Sequence, residues 1–561
     1  TSLQNSLMAR LDRLGFAKDL AQRAAVIGRR FQYLVLLGIA DVGEVEARAG
    51  IERLIRAGLV FTDSNSPQAL YEFKHALVQV AAYESLLRRS REELHRRVVV
   101  TLETAFPQVV ANEPELLALH CQLGRMADKA VNYWLAAGTS ALARSANVEA
   151  AAHLRAGRAL LSQIDDVGER RRLELRLLTV LGPALIANMG FAAPEVGEVF
   201  DRGRVLCETF PGNPETFPVL AGSWVYFLVR GELELSRHYA EEMLALGQRT
   251  GNDHFLIEAR YSLGNSNYWL GEANAARQEL QAAAILYNPE RHASHALQFG
   301  QDPGVTTQCY LSFTFWMLGR PDEAKAALDA AVRMAGPLNH PFTTAWPKAF
   351  RTVLHAYRNE PKEALEAAEE LIAFSLEQQQ QYWLAAGFIV RGWGMACAGK
   401  VDEGLAEMQR GISGYAATGA GVSLPYFYGL LTEVLLIAGR IDEAEAALDR
   451  AFEIVRTNNE GVSESALWRI KGSLLEAGHP DHLKDAIEYY RRAVDCNAAG
   501  GVLAPRLRAA TALHLALEKQ GLDAVRESPL AGLVARYPAA VRTPDLAAGR
   551  AALKATQRES G

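Results

Sequence analysis

Side chains able to do chemistry are plentiful in this sequence, with 13 histidines, 5 cysteines and 65 carboxylates, yet they are not spaced as a catalytic or metal-binding motif. A phosphate-cradling loop needs Gly-x4-Gly-Lys-Ser/Thr after a strand, so that backbone amides wrap the phosphates and a hydroxyl holds magnesium. The nearest string, Gly394-Met-Ala-Cys-Ala-Gly399-Lys400-Val401, ends in valine and reads as the turn of a helical hairpin. There is no His-Glu-x-x-His, EF-hand loop, Gly-x-Ser-x-Gly or dinucleotide fingerprint. Cys121, Cys207, Cys309, Cys397 and Cys496 are scattered about a hundred residues apart, as expected of reduced thiols in a cytoplasmic protein. The expectation is therefore no catalytic residue, no metal and no cofactor within the chain.

Two further groups invite a binding role. Arg88, Arg89 and Arg91, followed by Arg96 and Arg97 and interleaved with Glu92 and Glu93, form the densest basic run. It reads first as a solvated helix face with i,i+4 ion pairs, and second as an anion or protein-core contact. Trp269, Trp316 and Trp383 belong to a series of aromatics in the first helices of hairpins, along with Trp224, Trp346 and Trp393. Most should be core, and these three are candidates for anchoring a protein or peptide partner in a concave groove.

The elements that would position these residues repeat. Gly319-Arg-Pro-Asp-Glu-Ala324, Asn359-Glu-Pro-Lys-Glu-Ala364, Gly399-Lys-Val-Asp-Glu-Gly404, Gly439-Arg-Ile-Asp-Glu-Ala444 and Gly478-His-Pro-Asp481 begin 40, 40, 40 and 39 residues apart. Glycine or asparagine tolerates the left-handed conformation that ends a helix, and an acidic residue at the next start satisfies free amides. After each turn, small residues recur at helical spacing, as in Ala324, Ala327, Leu328 and Ala331. Before each turn comes a more aromatic helix, such as Tyr310, Phe313, Trp316 and Leu318. This is the grammar of a tetratricopeptide (TPR) hairpin, although the usual period is ~34 residues. The same grammar recurs at Gly231, Gly271 and Gly124. The fold class expected is all-α, a TPR-like solenoid of about ten hairpins.

Residues 1–74 read as a small winged-helix-like head. Helical patterns at Leu3–Leu14, Ala17–Ile27, Phe31–Gly38 and Val42–Ala57 precede strand-like Gly58–Phe61, a polar turn at Asp63–Gln68, and Leu70–Phe73. A connecting long helix from His75 to about Ala105 leads through residues 75–114 into the solenoid at 115–525, with a loosely attached cap at 526–561. The helix that would read DNA carries Glu44, Glu46 and Glu52 against Arg48, Arg53 and Arg56, and residues 1–114 hold 15 basic against 13 acidic side chains. Neither supplies the basic excess that a phosphate backbone demands, so no nucleic acid is expected as a direct partner. With a net charge of −6, 49% hydrophobic residues and no run of about 18 apolar residues, membrane spanning is not expected either. The chain opens at Thr1 and so reads as part of something longer.

Several segments together resemble the C-terminal half of multidomain class III adenylate/guanylate cyclases that carry a STAND-type ATPase and a TPR region, the soluble adenylyl cyclases among them. They are Ser6-Leu-Met-Ala-Arg-Leu-Asp-Arg-Leu14, Phe73-Lys-His-Ala-Leu-Val-Gln79, Ala82-Tyr-Glu-Ser-Leu-Leu87, Arg144-Ser-Ala-Asn-Val-Glu-Ala150, Gly300-Gln-Asp-Pro-Gly-Val305, Arg469-Ile-Lys-Gly472 and Leu507-Arg-Ala-Ala-Thr511. The resemblance implies a cyclase and a P-loop ATPase upstream of Thr1, which would hold ATP or ADP and magnesium. It also implies that the ATPase is a partner of this chain, and that His75 stands where such ATPases place a nucleotide-sensing histidine. Ala76 and Val80 depart from the family pattern, which has acidic residues there. On this resemblance the chain is expected to be a non-catalytic regulatory and interaction arm. The alternatives are the arm of an ATPase–TPR transcription regulator or a free-standing TPR scaffold.

Overall fold

A computed structural model describes residues 9–62, 70–210, 212–292, 294–478 and 480–559. The turn expected at Asp63–Gln68 and the start of the first helix lie outside them. Residue contacts divide the chain into units 1–181 and 182–561.

The first unit opens with α1 (Phe16–Ile27), β1 (Arg30–Gln32), α2 (Tyr33–Ile39), α3 (Glu44–Arg56), β2 (Val60–Thr62) and β3 (Leu70–Phe73). Among the described residues, strands are confined to one antiparallel sheet of order β1-β3-β2, in which Phe31 faces Tyr71 and Val60 faces Phe73. Phe31 therefore belongs to a strand, not to the helix expected from Phe31 to Gly38. Its apolar run fits either period, and pairing with Tyr71 decides it. The long helix expected from His75 is two helices, α4 (Ala76–Glu84) and α5 (Arg88–Ala105), parted at Ser85–Leu87. Then come α6 (Pro107–Asn112), α7 (Pro114–Leu123), α8 (Ala127–Ala143), α9 (Asn147–Leu160) and α10 (Val167–Met189), which crosses the boundary.

A buried hydrogen-bond chain ties the head to the first hairpin. The Tyr83 hydroxyl lies 3.0 Å from His95 Nε2, His95 Nδ1 lies 2.8 Å from His120 Nδ1, and the Ile27 carbonyl accepts from His120. Every ring nitrogen then has one role with both imidazoles neutral: Tyr83 donates to His95, His95 to His120, and His120 to Ile27. Burial pushes His95 down to about 3 and His120 to about 4.

The second unit is a TPR-like solenoid of helical hairpins. It contains α11 (Pro194–Glu208), α12 (Thr216–Arg230), α13 (Leu233–Thr250), α14 (Asp253–Trp269), α15 (Ala273–Leu286), the short α16 (Pro289–His292) and α17 (His295–Phe299), α18 (Pro303–Met317) and α19 (Pro321–Ala335). Next are α20 (Pro341–Tyr357), α21 (Pro361–Glu377), α22 (Gln381–Cys397), α23 (Val401–Ala417), α24 (Leu424–Ile437), α25 (Ile441–Asn458), α26 (Glu464–Gly478) and α27 (Leu483–Asp495). The chain closes with α28 (Ala504–Lys519), α29 (Ala524–Glu527), α30 (Leu530–Ala535) and α31 (Pro544–Glu559). Gly231, Gly271, Gly319, Asn359, Gly399 and Gly439 all have positive φ, as the hairpin turns require. Small residues of the second helices, Ala324, Ala331, Ala444 and Ala451 among them, are fully buried.

After the five hairpins α12/α13, α14/α15, α18/α19, α20/α21 and α22/α23, the solenoid meets itself. The amides of Gly421 and Val422 donate to the Val229 carbonyl at 2.8 and 3.1 Å. Further along, Asn274 N donates to Gly500 O at 3.0 Å and Leu503 N to Met317 O at 2.6 Å. Loops preceding α24, α26 and α28 thus rest on the C-terminal ends of α12, α14 and α18. Glycine permits this approach: a Cβ on Gly421 would stand 2.2 Å from Arg230 O, on Gly461 2.4 Å from Leu270 O, and on Gly500 2.5 Å from Gly271 O.

The tail is not a loose cap. Leu530, Leu533, Tyr537, Val541 and Leu546 are buried with Leu507, Leu513 and Leu517 of α28. Arg508 donates to both carboxylate oxygens of Asp545, at 2.7–3.0 Å, and to the Tyr357 carbonyl at 3.0 Å.

Two outcomes are expected. Gly461→Val should cost about 2–3 kcal/mol in denaturant unfolding, because backbone on the next turn cannot yield to the new side chain. Because the folded pKa values of His95 and His120 lie below the ordinary histidine value, the unfolded chain binds more protons at intermediate pH. Stability from this chain is complete above about pH 6.5 and is lost as pH falls toward 4. An acid titration of His120→Gln should show a weaker dependence than the wild type over that range.

Candidate functional site

Closure of the five-hairpin turn brings the first helices together around a common centre, and aromatic side chains fill it. Trp269, Trp316 and Trp383, expected as anchors in an open groove, are only 5, 4 and 5% exposed. Trp269 Nε1 donates to the Tyr310 hydroxyl at 3.3 Å, Trp383 meets Trp346 edge-on at 5.0 Å, and the Arg358 guanidinium lies over Trp316. Phe313 stacks on Phe350 at 4.1 Å, and Tyr357 packs on Tyr426 at 4.6 Å. The space that remains is a cavity of about 60 Å³ bordered by Asn265, Trp346 and Trp383, and another of about 50 Å³ bordered by Trp316, Glu433 and Arg469. Such volumes hold a few waters, not a peptide. These tryptophans are therefore core, because an inward-facing aromatic in a turn that closes on itself has no solvent left to face.

Glu460 is a carboxylate of this centre that no sequence motif marks. Fully buried, it accepts from Ser423 N at 3.1 Å and Ser463 Oγ at 3.0 Å, and burial pushes its carboxyl up to about 8. It is held largely as the neutral acid at pH 7, bridging two successive inter-hairpin loops.

In the first unit, His75 is exposed at the N-cap of α4, its side chain making no capping bond while its carbonyl accepts from Val78 N at 3.0 Å. Leu77 and Val80, one turn along, are exposed beside it. The arginine run resolves into separate local contacts. Arg88 pairs with Glu92 at 3.0 Å in the i,i+4 manner, Arg89 faces solvent, and Arg91 lies over the Tyr83 ring at 5.1 Å. Arg96 and Arg97 are spent on Gly124 O and Asp41.

A wider cleft, of about 790 Å³, opens among α11, α12 and α13. Val219, Leu220, Leu246 and Phe255 line it, with Arg204, Arg249, Glu208 and Glu242 around them. No motif marks it, since it comes from spacing between hairpins. Among the described residues, no group of three or more His, Cys, Asp or Glu is placed to hold a metal ion, and no helix is long and apolar enough to cross a membrane.

No family model matches the chain. An uncharacterized protein of Rhizobium meliloti (strain 1021) is 23% identical over 456 residues, 81% of this chain and 44% of that protein. The chain thus spans less than half the length of the curated relative it matches. Among solved structures, a Rap protein complexed with competence and sporulation factor is 14% identical with a TM-score of 0.49, over 66% of this chain and 99% of that one. A STAND protein with a tetratricopeptide repeat sensor from Pyrococcus horikoshii is 14% identical with a TM-score of 0.40, over 80% of this chain and 65% of that one.

Glu460 supplies a test of the closed centre. Its folded pKa lies above the unfolded one, so its contribution to stability is complete below about pH 4.5 and is lost as pH rises through about 8. Glu460→Gln keeps an acceptor for the Ser423 amide and removes the charge. Melting temperatures should fall in the wild type as pH rises from about 5 to 8 and stay flatter in the variant, with on the order of 1 kcal/mol of the loss falling above neutral pH.

Proposed function

We propose that this chain is the non-catalytic regulatory and protein-interaction arm of a larger signalling protein of the STAND ATPase/adenylate cyclase type, whose cyclase and ATPase domains stand upstream. The observation that carries the interaction role is the filled centre. The hairpins use their aromatic side chains to close on themselves, and the result is a stiff scaffold whose outer surface is left to engage partners. A partner segment with an apolar side chain between charges of both signs suits the cleft at Val219, Leu246 and Phe255, rimmed by Arg204, Arg249, Glu208 and Glu242.

The upstream part of the proposal rests on the sequence resemblance. The winged-helix-like head would meet the ATPase, where the exposed His75 ring, which makes no capping bond, could donate to a nucleotide phosphate, with ATP or ADP and magnesium held by the upstream domain. Tyr83 and the His95–His120 chain would carry that state into the first hairpin. Five free cysteines suit a cytoplasmic setting.

The test is nucleotide turnover. Deleting this region from the full-length protein, or changing His75→Ala within it, should alter ATP hydrolysis or cyclase output several-fold, while the isolated chain turns over neither substrate. Unchanged output after deletion, or saturable turnover by the isolated chain, would contradict the proposal.

A further inference from the structure

The segment between α15 and α18 of the second unit, within residues 287–302, is fastened to α14 by a buried cluster of imidazoles and carboxylates. His254, His292 and His295 have ring centres 4.7, 5.0 and 5.3 Å apart. His292, His295 and Asp302 are fully buried and Glu258 nearly so. Glu258 accepts the Nδ1 proton of His295 at 2.7 Å, and His295 Nε2 meets His254 Nδ1 at 2.8 Å. Tyr287 donates to Asp302 at 2.9 Å, and Asp302 in turn caps α18 by accepting from Val305 N. On the outer side, Arg291 reaches Asp253 at 3.4 Å.

The contacts fix where protons can be. Two nitrogens facing at 2.8 Å need a single proton between them. With His295 Nδ1 donating to Glu258, His254 donates to His295 Nε2 and can gain a proton on its other nitrogen with that contact intact. The geometric obstacle to a second proton therefore lies at His292. His292 Nδ1 accepts the Asn288 amide at 2.9 Å, which assigns its proton to Nε2, buried and without an acceptor among the described residues. A second proton on His292 would set N–H against N–H. The donors face one another and do not converge on one point, which is an arrangement for protons and not for a metal ion.

We infer that this cluster is a proton-operated clasp: proton uptake by His254 and His292 in mild acid releases residues 287–302 from α14 and from the start of α18, and so loosens the hairpin stack at that point. Burial, with the neighbouring His295 next, holds both rings below the ordinary histidine value. The open segment therefore binds more protons than the closed one as pH falls below about 6.5. Glu258 and Asp302 are pushed up by burial and act in the opposite direction, opposed on Glu258 by the His295 hydrogen bond. In the open segment both carboxyls titrate well below the imidazoles. The clasp does not depend on the upstream domains of the proposed function, since every group in it belongs to α14 and the segment after α15.

Hydrogen exchange of the full chain, read by mass spectrometry, tests it. Peptides covering 287–302 are compared at each pH with peptides from α22 and α23 in the same sample, which cancels the intrinsic pH dependence of exchange. Between about pH 6.5 and 5.5, relative protection of 287–302 should fall, by up to about fivefold for each titrating histidine. In His254→Gln/His292→Gln the fall in protection should vanish or reverse, because Glu258 and Asp302 then act alone, with the helical circular dichroism of the wild type retained. A flat wild-type profile would overturn the clasp whatever the variant does, as would a wild-type slope in the variant. Loss of protection on adding EDTA at neutral pH would also overturn it, because a metal ion would then be what closes the segment.

Discussion

Close backbone contact between successive turns of the solenoid is the constraint on which the rest of the second unit depends. Helical hairpins stacked side by side can form an open, shallow curve or a turn that closes, and the two differ in what the inner face meets. Here amides of the loops before α24 and α28 donate to carbonyls at the ends of α12 and α18. Those carbonyls are the groups a helix leaves unsatisfied at its C-terminus, so the next turn acts as a cap. The contact exists only because Gly421, Gly461 and Gly500 carry no side chain.

Once the turn closes, little solvent reaches the inner face, and many side chains on it pair with one another, while Trp346 Nε1, Trp383 Nε1 and the Tyr426 hydroxyl are buried there without a partner among the described residues. That explains why so many aromatics pair edge-on and why tyrosine hydroxyls meet in twos, Tyr268 with Tyr357 and Tyr382 with Tyr415. It also explains a carboxylic acid at the centre: Glu460 can be buried because it is held neutral and hydrogen-bonded. The functional consequence is a division of labour. The interior specifies the shape of the solenoid, and under the proposed function recognition falls to outer features such as the cleft of α11–α13 and the exposed His75 edge of the head.

Local chemistry was legible in the sequence wherever a single residue type answers a backbone demand. The hairpin turns at Gly319, Asn359, Gly399 and Gly439 are examples, because positive φ and the loss of Cβ strain are decided within a few residues. Closure was not legible in that way, since it joins residues such as Glu234 and Asn459 that are 225 apart. A signal for it does exist: Gly421-Val422, Gly461-Val462 and Gly501-Val502 recur 40 residues apart, just before first helices, where a hairpin turn alone asks for no such pair. The fate of Trp269, Trp316 and Trp383 came from closure, which is why the open groove expected for them is absent. In the head, the apolar run at Phe31 suits strand and helix alike, and only its partner Tyr71 settles it.

The most direct measurement of closure is a distance between the two turns. Spin labels at positions 234 and 459, in a chain whose other cysteines have been replaced, report it by pulsed electron resonance. In the structure the Asn459 amide donates to Glu234 Oε1 at 2.9 Å, so a closed turn gives one short, narrow distance. A long or broad distribution would show an open solenoid, with its aromatic face exposed, and would contradict the closed centre.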